Sequence, residues 1–379
     1  MRVCIVYDCL YPYTIGGAER WYRNLAERLA ATGHEVTFLT RRQWGRGQTA
    51  DFAGVRVLSV SPRMGLYGDD GRRRMLPPLL FGLGVLGHLL RYGKRYDVVH
   101  SASFPYFSLL AASAARRRGG FRIVVDWHEL WTRDYWRQYV GRLAGWIGWR
   151  VQRACVAVPQ RAFCFSRLHE QRLCEQGFTG ELTRLEGQYA GPAAPHAPAA
   201  PRPVVVFAGR HIPEKRVPAL VSALAELPDL GAEIYGDGPE RGKVLEAIAS
   251  RHLEHRVTAP GFVAEDVLAA AVASALCFVL PSQREGYGLV VVESSARGIP
   301  SVVVSGPDNA ATELVEEGIN GAVAESANAK DLAAAISRIG AGGDELRAAT
   351  LDWFGRNAER LSLEHSLQVV LREYASADL

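Results

Sequence analysis

Short apolar runs alternate with longer amphipathic stretches along almost the whole 379-residue chain. Runs bounded by turn residues predict buried strands at Val3–Tyr7, Glu35–Thr40, Val55–Val60, Asp97–Ser101, Phe121–Val125 and Arg161–Phe165. Helical spacing follows several of them: from Gly17 to about Ala30, from about Pro105 to Arg118, over most of residues 134–157 as one helix, and after Ser166, which suits an N-cap. Residues 190–203 are rich in Pro and Ala and read as a linker. Beyond it the pattern restarts, with strands at Val204–Ala208 and Leu276–Leu280 and helices from Val217 and over Leu289–Arg297. Leu351–Tyr374 reads as a closing helix. The expected division is 1–195, 196–350 and a C-terminal helical segment, 351–379.

Composition changes this picture little. Hydrophobic residues make up 48% and charged residues 22%, as in ordinary globular proteins. Six scattered cysteines with no C-x-x-C pair argue against a disulfide framework or a zinc site and fit a reducing cytoplasm. Met1–Tyr7 reads as a strand, not a signal peptide.

Charge changes it more. Residues 1–198 carry 28 Lys+Arg against 15 Asp+Glu, a net +13, whereas 199–379 carry 16 against 25, a net −9. The basic half suits an anionic partner, either nucleic acid or an anionic membrane surface, or is a plain consequence of Arg-rich composition. Met75–Arg91 is nearly all apolar but too short and interrupted to span a bilayer. Beside Arg72–Arg74 it reads as an interfacial helix or as a buried helix of the first domain. Residues 134–157 interleave Trp and Tyr with Arg, which suits a membrane interface, a sugar acceptor or a packed helix with solvated arginines.

The chemistry concentrates in Pro281-Ser282-Gln283-Arg284-Glu285-Gly286-Tyr287-Gly288-Leu289, with Glu293 four residues on. A strand, a glycine turn with free amides and a helix start make a ready anion site. Carboxylates on either side suit the hydroxyls of a sugar and a ribose flanking a diphosphate. This Glu285-x7-Glu293 signature resembles that of the retaining glycosyltransferases of family 4, which have the GT-B fold and use nucleotide-diphosphate sugars.

The resemblance extends along the chain. Gly209-Arg210…Lys215 is similar to the family's Gly-Arg…Lys motif, whose two cations neutralise a departing diphosphate without a metal. Gly236-Asp237-Gly238-Pro239, Gly261-Phe262-Val263 and Gly306-Pro307 continue it. Gly16 and Gly17 resemble the family's Gly-Gly loop opposite the donor diphosphate. His128 matches a histidine near the reacting sugar, with Asp126 placed to orient it. Leu185–Gly191 departs from the family pattern.

The resemblance implies an α/β GT-B protein: two Rossmann-like domains with a cleft between them and a C-terminal helix crossing back to the first, with Trp353 and Phe354 as a hinge anchor. It implies transfer with retention from a UDP- or GDP-hexose to a hydroxyl acceptor, in cell-envelope polysaccharide, glycolipid or glycosylated-metabolite synthesis. The catalytic candidates are His128, Glu285, Arg210 and Lys215. The donor side adds Gly16, Gly17, Val263, Gly286, Tyr287, Gly288, Leu289 and Glu293. The acceptor side has Asp126, Tyr13 and Trp131. No metal, cofactor or nucleic acid is expected; a cytoplasmic enzyme in peripheral contact with anionic membrane is. A GT-B sugar-nucleotide epimerase and a non-catalytic nucleotide-binding module are the alternatives, separated from a transferase by incubating donor without acceptor.

Overall fold

The computed structural model describes residues 1–45, 47–48, 50, 52–66, 74–191 and 203–375. Most of the linker, and Arg72 and Arg73, lie outside the described residues. The chain forms two compact units, one made of residues up to Glu186 together with those from Glu364, the other of Gly187–Leu363.

The first unit holds seven parallel strands: β1 (Arg2–Val6), β2 (Glu35–Arg41), β3 (Val55–Ser61), β4 (Val98–Ala102), β5 (Arg122–Trp127), β6 (Arg161–Cys164) and β7 (Leu182–Arg184), in the order β3-β2-β1-β4-β5-β6-β7. The helices are α1 (Gly17–Ala31), α2 (Leu76–Tyr92), α3 (Tyr106–Gly119), α4 (Arg133–Val140), α5 (Arg142–Val156) and α6 (Arg167–Glu175). β1 is paired on both edges, and Val3, Cys4, Ile5 and Val6 are fully buried. A parallel strand covered on both faces has to be apolar throughout, which explains the unbroken runs read from the sequence. α1 buries Trp21, Tyr22, Leu25 and Leu29, one face of a helix.

The single helix expected over 134–157 is two. Gly141 takes φ +86, a left-handed value that ends α4 and turns the chain into α5. Gln152 of α5 sits under this turn. Its Oε1 accepts from Tyr106 Oη and Trp136 Nε1, both at 2.9 Å, and its Nε2 donates to the Trp131 carbonyl at 2.8 Å.

The second unit repeats the plan with β8 (Val204–Ala208), β9 (Gly231–Tyr235), β10 (Val257–Gly261), β11 (Cys277–Leu280), β13 (Ser301–Val304) and β15 (Gly321–Ala324), ordered β10-β9-β8-β11-β13-β15. β12 (Arg284–Glu285) and β14 (Asp308–Asn309) form a separate two-residue pairing. Its helices are α7 (Val217–Ala225), α8 (Arg241–Ser250), α9 (Glu265–Ser274), α10 (Leu289–Ser295) and α11 (Ala329–Leu361). α11 packs on α7.

The closing segment also differs from a single helix. α11, kinked at Gly343 (φ +49), runs on through Trp353 and Phe354, which lie in the second unit: Trp353 Nε1 donates to Glu316 at 2.7 Å, and Phe354 meets the Tyr189 ring edge-on at 5.4 Å. Ser362 is extended (φ −73, ψ 142), which stops α11, and α12 (Leu363–Ala375) follows. From Glu364 onward α12 belongs to the first unit. Arg28 pairs with Glu364, Arg161 with Glu373, and Arg122 donates to the Tyr374 carbonyl at 2.8 Å.

Two glycines of α2 make a test of this packing. A Cβ on Gly84 would land on the Val60 carbonyl of β3, while one on Gly87 meets nothing within 4 Å. Gly84→Ala is expected to destabilise by about 1–3 kcal/mol through overpacking. Gly87→Ala should be neutral or stabilise by up to about 1 kcal/mol from helix propensity. Urea unfolding of both variants checks the pair; equal effects would mean α2 does not lie against β3 as described.

Candidate active site

In an open parallel sheet, ligands bind beyond the strand carboxyl ends where the strand order reverses. In the second unit that point lies between β8 and β11, which pair directly. The Gly209–Arg216 loop follows β8, and the Pro281–Gly288 segment follows β11. Lys215 Nζ from the first makes an ion pair with Glu285 Oε1 from the second, both partly buried. The loops are also joined through the main chain, Gln283 N donating to the Glu214 carbonyl at 2.8 Å. The sequence placed these two residues 70 positions apart; the sheet order brings them together.

Each loop is braced from behind. Gly236 and Gly238 take φ +110 and +155. A Cβ on Gly236 would strike the Gly209 carbonyl, and one on Gly238 would lie 2.5 Å from the His211 carbonyl oxygen. His211 N donates to the Asp237 carbonyl at 2.8 Å, and Glu240 N donates to the His211 carbonyl at the same distance. The Gly-Asp-Gly-Pro turn is therefore a backstop for the Arg210–Lys215 loop. His211 is fully buried beneath it, and burial holds its pKa down. Arg210 is exposed. On the other side Glu285 lies on β12, not in a free loop. Asn309 of the partner strand fixes it, with Nδ2 donating to the carbonyls of Ser282 (3.2 Å) and Val304 (2.8 Å).

Gly286 leads to Tyr287, which is buried, and Gly288 (φ +97) caps α10 with 2.5 Å between its would-be Cβ and that of Ala311. Leu289 begins α10, and Glu293 lies one turn further, half-buried. Glu293 and Arg297 both bear electrostatically on Tyr189, whose phenol burial pushes up. Tyr189 sits in the segment that departs from the family pattern. It is anchored by hydrogen bonds from Tyr189 N to Leu361 O (3.1 Å) and from Leu363 N to Tyr189 O (2.8 Å). No local signal could have linked it to Glu293. Val263 lies just past β10, half-buried, beside an exposed Phe262.

In the first unit the strand order reverses between β1 and β4. Gly16 is extended and precedes α1, with the Glu19 carboxylate folded over it; that carboxylate accepts from Tyr7 Oη at 3.3 Å. Gly17 faces open space. Tyr13 is exposed, with its ring 5.8 Å from that of Trp44. Trp131 is half-buried among Phe104, Tyr135, Trp136 and Tyr139, and its Nε1 donates to Glu129 at 3.2 Å.

Asp126 is fully buried. Trp21 Nε1 donates to its Oδ2 at 2.7 Å, and His100 Nε2 lies 2.8 Å from its Oδ1. His100 Nδ1 in turn lies 2.5 Å from Tyr374 Oη of α12. Burial alone would raise the Asp126 carboxyl; the adjoining His100 and the hydrogen bond from Trp21 outweigh it and hold it below its usual value. Trp21 satisfies Oδ2, whereas Oδ1 and His100 Nε2 are close without an aligned hydrogen bond, and Asp126 does not orient His128 through a hydrogen bond. His128 is instead placed by stacking: its ring lies parallel to Phe165 at 4.5 Å and edge-on to Tyr22 at 5.7 Å. Its Nε2 is buried with no hydrogen-bond partner. Among the described residues no group of His, Cys, Asp or Glu side chains could hold a metal ion.

Two parallel Rossmann-like sheets, each with its polar groups gathered at the strand carboxyl ends, define a protein of the GT-B fold. Residues 15–185 match the family model Glycosyltransferase Family 4, and residues 194–350 match Glycosyl transferases group 1. The chain belongs to family 4 of the glycosyltransferases, a retaining family that is typically metal-independent. It is 29% identical to the GDP-mannose-dependent alpha-mannosyltransferase of Mycolicibacterium smegmatis, over 80% of this chain and 79% of that protein. Among solved structures it is similar to the sucrose-phosphate synthase of Thermosynechococcus elongatus (TM-score 0.82, 20% identity, 98% of each chain). It is similar also to Anabaena HepE in complex with UDP and glucose (TM-score 0.76, 18% identity, 99% of this chain and 100% of that one).

His128 offers a pH test. Burial is the largest influence and lowers its pKa, against the opposing pull of Asp126 and Glu129; His100 adds to the lowering. The folded value is therefore below the unfolded one, near 6.5. Such a group contributes its full stability above the unfolded value and loses it as pH falls, because the unfolded chain binds the proton more readily. His128→Phe is expected to flatten the loss of stability between about pH 7.5 and 5.5, read by urea unfolding at each pH. An unchanged slope would show that His128 does not stay neutral in the folded protein.

Proposed function

We propose that this enzyme transfers a hexose, with retention, from a UDP- or GDP-sugar to a hydroxyl acceptor in the synthesis of a cell-envelope polysaccharide, a glycolipid or a glycosylated metabolite. The observation that carries the reading is the convergence of Lys215 and Glu285 at the β8–β11 switch point. The GDP-mannose-dependent relative and the UDP complex of HepE support the choice of donor.

The chemistry has two charges to manage: positive charge growing on the sugar and negative charge on the departing diphosphate. Arg210 and Lys215 supply cations to the diphosphate, with the Gly286–Leu289 amides. In the free protein Lys215 is neutralised by Glu285. A diphosphate is the stronger anion, so it takes over Lys215 and frees Glu285 for the sugar hydroxyls. Glu293 holds the ribose, Val263 lies by the base, and Gly16 and Gly17 allow close backbone approach to the diphosphate. A neutral His128 can accept a hydrogen bond from a sugar or acceptor hydroxyl, which is what a general base requires. Tyr13 and Trp131 offer aromatic faces to the acceptor; Asp126 acts on His128 through its charge. The enzyme works in the cytoplasm, in peripheral contact with an anionic membrane surface, as the +13 charge of residues 1–198 suggests. Among the described residues no helix is long and apolar enough to cross a membrane.

The two glutamates separate the roles. A ribose contact is equal in ground and transition states, so Glu293→Ala should weaken nucleotide binding and raise donor KM with kcat less affected. Loss of a charge-assisted hydrogen bond costs about 1.5–3 kcal/mol, a ten- to hundred-fold loss of affinity. Glu285→Gln keeps the shape and removes the charge that meets the developing sugar cation. It should cut kcat and leave UDP or GDP binding nearly intact. Calorimetry with the bare nucleotides alongside initial rates tests both. Equal loss of nucleotide affinity in the two variants overturns the assignment, and wild-type rates in both overturn the reading of the site.

A further inference from the structure

α2, α3 and α5 form one outer layer of the first unit. The crossovers from β3 to β4, β4 to β5 and β5 to β6 all step the same way across the sheet, so right-handed connections put their helices on one face. α2 packs on α3, and α3 on α5. The outward side of this layer is unusual in two ways. On α5, Leu143, Trp146 and Ile147 are 74%, 50% and 49% exposed, although each is large and apolar. On α2, Leu76, Leu79 and Leu83 are exposed at helical spacing, while Phe81, Val85 and Leu89 take the core. The charge beside the α5 cluster is mostly of one sign: Arg133 and Arg137 of α4 and Arg142 at the start of α5, with one carboxylate, Asp134, 3.8 Å from Arg137. Arg133, Arg137, Arg142, Leu143 and Trp146 line an open hollow of about 290 Å³ between α4 and α5.

We propose that the α4–α5 hairpin, on the same outer layer as the apolar stripe of α2, is the surface by which the enzyme sits on an anionic lipid bilayer. Leu143, Trp146 and Ile147 enter the headgroup–acyl boundary, and the Arg133–Arg137–Arg142 hollow holds headgroup phosphates. Exposed apolar side chains ringed by arginines fit such a boundary, since the chains gain an apolar environment and the guanidinium groups meet phosphate. Trp149 does not take part; it is half-buried against the core beneath. Helices of this layer run back from the carboxyl ends of the strands, so the first turns of α2 and α5 lie at the end of the unit that holds His128, where a lipid-linked hydroxyl could be met. This inference rests on the peripheral-membrane part of the proposed function and names its residues.

Flotation of the full-length protein with phosphatidylcholine vesicles, with and without phosphatidylglycerol, tests it. The wild type should float with the anionic vesicles only, and less so as salt rises. Arg137→Gln/Arg142→Gln should weaken partitioning roughly twenty-fold, at about five-fold per arginine. Trp146→Ser/Ile147→Ser should weaken it by about ten-fold or more. All four positions are exposed, and melting curves matching wild type confirm the fold. Inorganic phosphate at matched ionic strength should not displace the protein; displacement would make the hollow a site for free phosphate and overturn the bilayer assignment. If wild type does not float with anionic vesicles, the peripheral-membrane reading falls together with this surface. If wild type floats and both variants float equally well, the surface alone is overturned.

Discussion

A parallel strand covered by helices on both faces admits a polar side chain along its length only where a buried partner meets it. Both units are built on such strands, β1 and β8 each lying between two neighbours with their central residues fully buried. The chemistry is therefore pushed to the strand ends. Polar and charged groups gather in the loops after β8 and β11, after β1, and after β5, which are the positions where an open sheet can offer them to a ligand.

At those ends the backbone has to be held in conformations that ordinary side chains resist. Gly236, Gly238 and Gly288 do this in the second unit, each at positive φ and each where a Cβ would collide with a neighbouring loop or helix. They let main chain lie against main chain, so that the Lys215 and Glu285 loops are rigidly backed. Asn309 adds a side-chain clamp across β12 and β14. Two glycines of the family-like Gly-Asp-Gly-Pro turn, Gly236 and Gly238, thus have the work of supporting another loop.

The first unit solves a different problem, that of a charge in the core. Asp126 is wholly buried; Trp21 donates to one of its oxygens, and the nearby His100 helps hold the carboxyl below its usual value. His100 is held in turn by Tyr374, from the last turn of α12. The end of the chain therefore completes a polar network beside His128. Stacking on Phe165 places the His128 ring, while burial keeps it neutral.

β1 to β6, β8 and β11, the two α/β halves and the family were legible in the sequence, because burial on both faces writes itself as apolar runs and because Gly, Glu, Arg and Lys recur at short fixed spacings around the ligand loops; β7, β9, β10, β13 and β15 were not read as strands. Ser166 was legible as an N-cap, and its Oγ accepts from His169 N as local capping requires. The helix break at Gly141 was not, since a lone glycine in an amphipathic stretch does not reveal its φ. Nor was the stop of α11 at Ser362, a residue with no breaker chemistry. Long-range pairings were out of reach altogether. Lys215 with Glu285, His100 with Tyr374 and Tyr189 with Glu293 depend on the order in which strands join the sheet and on where the last helices return. Local periodicity carries no information about that order, so only the tertiary structure decided which of the candidate residues meet.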